Sequence, residues 1–148
     1  LDYRVVSIDT VDSSPQDLHP VLYQDPWADS GGVDARIISR GEEVVLRDQF
    51  VTGKFTIIDF GPTWSGPCHI TAARLKDYLG NHEDVAVRAI SLDAQDSSVS
   101  YALPVVSQHL QWASGLPWFV VFNLDGKRIY RGDDVERAIQ EIDQARAR

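Results

Sequence analysis

The segment FTIIDFGPTWSGPC, from Phe55 to Cys68, carries the strongest structural signal in the chain. Its first part, residues 55–60, is mostly apolar and β-rich, which is typical of a strand buried on both faces of a sheet. A helix is predicted directly afterwards from apolar residues at helical spacing, which are Cys68, Ala72, Leu75 and Leu79, and Gly80 is placed to end it. The sequence therefore predicts a strand that enters a helix through a short turn rich in Gly and Pro.

Further elements are predicted on both sides of this segment. Upstream, a hairpin is indicated by strands at 35–39 and 43–46 around the turn 40–42. Downstream, the patterns indicate a strand at 85–92 and a helix from Pro104 toward Trp112. A hairpin follows, with strands at 118–123 and 128–130 around the turn Asp125-Gly126. The last predicted element is an amphipathic helix, whose apolar face consists of Val135, Ala138, Ile139 and Ile142. A strand, helix, strand order implies parallel pairing, and the late hairpin adds antiparallel strands. We therefore expect an α/β fold with a mixed sheet and helices on both faces.

Residues 1–34 differ in composition and hydrophobic pattern from the rest of the chain. Residues 3–11 alternate loosely like a strand, and residues 12–32 are rich in Asp, Ser, Pro and Gly. We interpret 1–34 as an extension packed on a domain of residues 35–148, with Tyr3, Tyr23 and Trp27 as possible anchors.

Composition narrows the function classes. The chain has 148 residues and a formal net charge of −8, with a pI near 4.8, which disfavours binding to a phosphate backbone and so to nucleic acid. No apolar run is long enough to predict a transmembrane segment. The single Cys excludes an internal disulfide. There is no Met, even at position 1, so we expect the natural start of the gene product to have been removed with an export signal or by excision of a domain.

The stretch Trp64-Ser65-Gly66-Pro67-Cys68 resembles the thioredoxin motif Trp-Cys-Gly-Pro-Cys, with Ser65 at the position of the first cysteine. The resemblance extends over about residues 35–148. It implies a thioredoxin-like three-layer α/β/α sandwich with a central mixed sheet, and the activity of a thiol-disulfide oxidoreductase without cofactor or metal. The implied partners are protein disulfide or dithiol substrates and an upstream electron donor or acceptor.

The resemblance also implies roles for individual residues. The first motif cysteine attacks a substrate disulfide, and Cys68 would be the resolving thiol. A helix N-terminus favours a thiolate, but Ser65 cannot replace it, because a serine alkoxide is negligible at neutral pH. We therefore expect this chain not to complete the catalytic cycle of disulfide reduction. Asp59 matches the buried acid that exchanges a proton with the resolving thiol, although an acid facing solvent at a strand end is the alternative.

A second loop completes the predicted site. Gly115-Leu116-Pro117 resembles the cis-proline loop that faces the motif in this family, and with Trp64, Gly66 and Pro67 it would bind the substrate. An ordinary trans proline opening an edge strand is the alternative. Leu116 and the following Trp118 depart from the family pattern, which leaves the substrate preference open.

Several other interpretations of the motif stay open. Ser65 to His69 resembles a haem attachment motif that has lost one cysteine, and Ser65 with Cys68 has the spacing of a peroxidase site. A naturally redox-dead binding or scaffold module is a stronger alternative. We favour an introduced Cys-to-Ser substitution, because a single atom differs in a motif that is otherwise consistent. His19, His82 and His109 lack the spacing of metal ligands.

The leading hairpin and the Gly53-Lys54 entry to the core strand resemble exported thioredoxin-like proteins. On that basis we expect a periplasmic or otherwise exported protein, with the cytoplasm as the alternative.

Overall fold

A computed structural model describes residues 24–92 and 102–148. The strands are β1 Ala35–Ser39, β2 Phe55–Gly61, β3 Val85–Ser91, β4 Trp118–Phe122 and β5 Arg128–Gly132. The helices are α1 Gly66–Gly80, α2 Pro104–His109 and α3 Val135–Arg146, and a short 3-10 turn covers Leu46–Gln49. The strand 3–11 and the anchors Tyr3 and Tyr23 that the sequence predicts lie outside the described residues. The division between 34 and 35 stays a prediction.

The strands form one mixed sheet in the order β1-β3-β2-β4-β5. β1 and β2 both pair with β3 in parallel, whereas β4 runs antiparallel to β2 and to β5. The crossover from β2 to β3 passes through α1, as the strand, helix, strand order predicted. The predicted hairpin at Asp125-Gly126 is also present, with a φ of 84° at Gly126 that glycine adopts without strain.

Apolar side chains cover both faces of the sheet, because successive residues of a strand point to opposite sides. In β2, Phe55 and Ile57 contribute to a core shared with α1 and α3. Ile58 and Phe60 contribute to a second core, which includes Val105 of α2. The three-layer α/β/α arrangement predicted from the sequence is therefore confirmed.

The predicted hairpin after β1 is wrong. Residues 43–46 form no strand, and β1 pairs only with β3 among the described residues. The main chain of this segment bonds to α2 instead: the Val44 N–H donates to Oε1 of Gln108 over 2.8 Å, and Nε2 of His109 donates to the Val44 carbonyl over 2.7 Å. Side chains from a distant helix thus satisfy the polar groups that a hairpin partner would have satisfied.

α2 ends earlier than the sequence suggested. It ends at His109, and Trp112 beyond it is 82% exposed. None of the helices in residues 24–92 and 102–148 has the length and apolar character of a membrane span.

Candidate functional site

The motif lies where β2 gives way to α1. Ser65 is the N-cap of α1, and its carbonyl accepts the N–H groups of Cys68 and His69 at 3.1 and 3.3 Å. Its hydroxyl oxygen is 3.4 Å from the Cys68 nitrogen and accepts that N–H as well. Pro67 occupies the first turn, where a missing N–H leaves no hydrogen bond unmade. Serine is a favoured N-cap residue, so the local sequence positions Ser65 and Cys68 on the same turn of the helix.

Cys68 faces inward from this first turn. Its side chain is only 3% exposed, and burial raises the pKa of the thiol to about 12. The hydrogen bond from Ser65 opposes that increase in pKa, and the negative charge of Asp59 adds to it. At neutral pH the sulfur is therefore a protonated, shielded thiol, which needs a base before it can act as a nucleophile.

Asp59 lies in β2 between Ala89 of β3 and Phe119 of β4. It is 4% exposed, and burial raises the pKa of its carboxyl to about 7. The resemblance implied a buried acid at this position, and the structure also gives the carboxyl a hydrogen-bond partner. The indole N–H of Trp27 donates to Oδ2 over 2.9 Å, which lowers the pKa, while the nearby charge of Asp25 raises it.

Gly61 separates the acid from the thiol. A Cβ atom on Gly61 would stand 2.9 Å from Sγ of Cys68 and 3.8 Å from Oδ1 of Asp59. Both side chains line one small cavity, together with Trp27 and Ser91. The hydroxyl of Ser91 is buried and has no partner among the described residues. The carboxyl and the thiol thus border the same small cavity, in an environment shielded from solvent.

The predicted proline loop is adjacent to the motif. β2 and β4 are antiparallel with Phe60 opposite Trp118, so the residues before Trp118 lie beside the residues that follow β2. The Leu116–Pro117 peptide bond is cis. Pro117 is buried and Leu116 is partly buried against the core on that face of the sheet.

The remaining predicted site residues lie on the outer side of the same end of the sheet. Pro67 is exposed, whereas Trp64, Gly66 and Gly115 are half-buried. Nε2 of His69 donates to the Thr63 carbonyl over 2.7 Å and so ties the turn to the start of α1. The structure therefore gathers the motif, the acid and the proline loop at one end of the sheet.

Sequence reasoning missed two residues of this site. Trp27 was predicted as an anchor of the extension but not as a partner of Asp59, which follows it by 32 positions. Gly61 was not singled out at all. No local pattern marks either residue, because each acts through a contact with a distant part of the chain.

The curated relatives that resemble this chain include a thioredoxin and a thioredoxin-like protein. No family model matches the chain. Thioredoxin H2-2 of Oryza sativa subsp. japonica is 29% identical over 125 residues, which cover 77% of this chain and 84% of that protein. A thioredoxin-like protein of Synechocystis sp. is 30% identical over 91 residues, which cover 62% of this chain and 78% of that protein.

Solved structures agree on the fold. Thioredoxin f from spinach chloroplast, in its short form, matches with a TM-score of 0.56 at 14% identity, covering 77% of this chain and 96% of that one. A chain from the complex of ferredoxin:thioredoxin reductase with thioredoxin f2 matches with a TM-score of 0.53 at 17% identity, covering 76% and 96%. At these identities the structures show the shared fold alone.

Proposed function

The chain belongs to the thioredoxin-like family of oxidoreductases, and from that premise we propose that it is a thioredoxin-type protein disulfide reductase whose nucleophilic cysteine is replaced by Ser65. As it stands, the chain is then unable to complete a catalytic cycle. The observation that carries the proposal is the small buried cavity that Asp59 and Cys68 both line: burial raises the pKa of the acid to about 7 and that of the thiol to about 12.

This arrangement suits the second half of a dithiol reaction. With a cysteine at position 65, its thiolate would attack a substrate disulfide, release one substrate thiolate and form a mixed disulfide. Cys68 would then give its proton to the Asp59 carboxylate and attack the mixed disulfide. That step releases the second substrate thiol and leaves a 65–68 disulfide, so two electrons have passed to the substrate.

Ser65 blocks only the first step. An oxygen at this position does not form an exchangeable bond with sulfur, whereas the hydroxyl still caps α1 and still contacts Cys68. We infer that serine was introduced in place of cysteine, since the acid, the resolving thiol and the proline loop are all retained. The parental gene at codon 65 tests this inference directly.

The activity is tested by reverting the substitution. Ser65→Cys is expected to reduce insulin disulfides with dithiothreitol as the external reductant, and the chain itself is expected to be inactive. The matched control is Ser65→Cys combined with Cys68→Ser, which should form a mixed disulfide and stop there. A folded but inactive Ser65→Cys protein would contradict the proposal.

That outcome would favour a second candidate, a redox-dead binding module. Its support is two exposed apolar side chains: Ile70 in α1, which is 72% exposed, and Trp112 beyond the end of α2, which is 82% exposed. The reductase complex of the structural neighbour suggests that a protein partner supplies electrons to the active form.

We keep the exported location as a proposal supported by Gly53-Lys54 alone, because the hairpin that also supported it is absent. Fractionation of cells that express the native gene tests this location.

A further inference from the structure

A turn that precedes the sheet covers the cavity between the acid and the thiol. The residues that line the cavity include Asp25, Pro26 and Trp27 of this turn as well as Asp59 and Cys68. Trp27 is 5% exposed, which is unusual for a residue in a loop. Its indole N–H donates a hydrogen bond to Oδ2 of Asp59.

Several contacts hold this turn in place. Oδ1 of Asp25 accepts the main-chain N–H of Trp27 over 2.9 Å, and the Asp25 carbonyl accepts that of Ala28 over 3.0 Å. Lys76 of α1 donates its ammonium group to the Pro26 carbonyl, and the same group lies 5.4 Å from the centroid of the Trp27 ring. The helix that carries Cys68 is thereby connected to the turn that carries Trp27, which fixes the indole relative to the thiol.

The hydrogen bond also orients the carboxyl group. Oδ2 of Asp59 accepts the indole N–H, whereas Oδ1 is the oxygen that lies toward Gly61, the residue whose side-chain space the Cys68 sulfur fills. A carboxyl group free to rotate would present either oxygen to the thiol. The indole therefore selects the oxygen that is available for proton exchange.

We propose that Trp27 is a positioning residue for proton exchange in the thioredoxin-type reaction: its indole N–H holds the Asp59 carboxyl toward Cys68, and its turn shields the pair from bulk water. This inference rests on the proposed function. It adds a role for a residue outside the domain that the sequence resemblance covers.

The charged groups around Asp59 determine the sign of the expected effect. Asp25 and Cys68 line the same cavity; the charge of Asp25 disfavours a second negative charge there, whereas the Cys68 thiol is protonated and neutral. Arg40 contacts Oδ2 of Asp25 at 3.5 Å, and the Lys76 ammonium lies over the indole ring, 5.4 Å from its centroid. The indole N–H is thus the donor that stabilises ionised Asp59, so its removal must favour the protonated acid.

The first experiment follows the Asp59 side-chain carboxyl carbon by NMR as a function of pH in the chain as it exists. Trp27→Phe keeps an aromatic ring and removes the N–H, so the titration midpoint should rise by about one pH unit or more. Trp112→Phe is the matched control, because Trp112 is 82% exposed, and it should leave the midpoint unchanged. An unchanged midpoint in folded Trp27→Phe would overturn the proposal.

The second experiment measures the pH profile of insulin reduction in the Ser65→Cys background. Trp27→Phe should shift the profile in the same direction and by the same amount as the NMR midpoint. A profile that does not follow the midpoint would show that the contact is merely structural and would also overturn the proposal. If Ser65→Cys is itself inactive, the proposed function fails, and with it the role in proton exchange, whereas the NMR midpoint still decides whether Trp27 holds the carboxyl.

Discussion

Gly61 and Cys68 are in direct contact at the end of β2, where the sulfur fills the space that a side chain on Gly61 would need. A Cβ atom on Gly61 would be 2.9 Å from Sγ and 3.2 Å from Cβ of Cys68. Both distances are shorter than a normal van der Waals contact, and the Cys68 Cβ is fixed to the first turn of α1. The thiol can therefore occupy its position beside Asp59 only because residue 61 is a glycine.

We predict that Gly61→Ala destabilises the protein by about 1–3 kcal/mol, because it overpacks a buried contact. The measurement is urea unfolding of the variant and the parent chain. Cys68→Ala is the matched second change, since it removes Sγ and leaves Cβ. The cost of Gly61→Ala should be smaller in the Cys68→Ala background, and equal costs in the two backgrounds would show that the contact is not the cause.

Ser65 gives a second prediction, which concerns its role as an N-cap. Ser65→Ala should lower the free energy of unfolding by about 0.5–2 kcal/mol, because the Cys68 N–H loses an acceptor. It should also raise the pKa of Cys68 further, since the Ser65 hydroxyl favours the thiolate. Alkylation of Cys68 as a function of pH measures the second effect. Ser65→Thr keeps the hydroxyl and should retain the stability of the parent, and a loss as large as that of Ser65→Ala would argue against capping.

The central part of the fold could be predicted because its signals are local. Residues 55–60 are apolar on both faces, and the residues after Cys68 repeat at helical spacing, so one strand and one helix followed directly from the sequence. The resemblance also identified Asp59 as a buried acid, and in the structure the alternation along β2 places it on the same face as Ile57, which belongs to the core that β2 shares with α1 and α3.

The segments that sequence reasoning misjudged depend on distant partners. Residues 43–46 have the composition of a strand, but side chains of α2 satisfy the main chain at Val44. The role of Trp27 also depends on a distant partner. An aromatic residue in a polar stretch indicates an anchor, but only the folded chain shows that its N–H meets a buried carboxyl.

The C-terminal helix provides a third prediction, based on Arg146. Its guanidinium donates to both oxygens of Asp84 at 2.9 Å, and this pair lowers the pKa of that carboxyl. The stabilisation is therefore present above the unfolded pKa of about 4 and is lost as pH falls through the lower folded value. Both side chains are partly exposed, so Arg146→Ala should cost only about 1 kcal/mol at neutral pH.

The measurement for Arg146 is urea unfolding at pH 7 and at pH 3, and the cost should shrink at the lower pH. Arg137→Ala is a suitable control. Arg137 pairs with Glu141 at 3.4 Å on the surface of the same helix, and its side chain is 58% exposed. Its removal should have little effect, and equal costs for the two variants would contradict the prediction.

The last prediction concerns the pH dependence that Asp59 imposes on stability. Burial raises the pKa of Asp59 to about 7 in the folded chain, whereas the unfolded chain has an ordinary value of about 4. Between these two pH values the folded state binds one more proton than the unfolded state, so the free energy of unfolding falls as pH rises. The loss begins near the unfolded value, is complete just above the folded value and amounts to about 4 kcal/mol.

Asp59→Asn removes the ionisation and keeps an oxygen that can accept the Trp27 N–H. Its unfolding free energy should lack the decrease between about pH 4 and pH 7, so the variant should be the more stable protein at pH 8 and close to the parent at pH 4. Urea unfolding at several pH values measures both curves. Asp125→Asn, in the exposed hairpin turn, should keep the slope of the parent. A parent whose stability is flat from pH 4 to 8 would mean that water reaches Asp59, and the acid would then be unsuited to exchange a proton with Cys68.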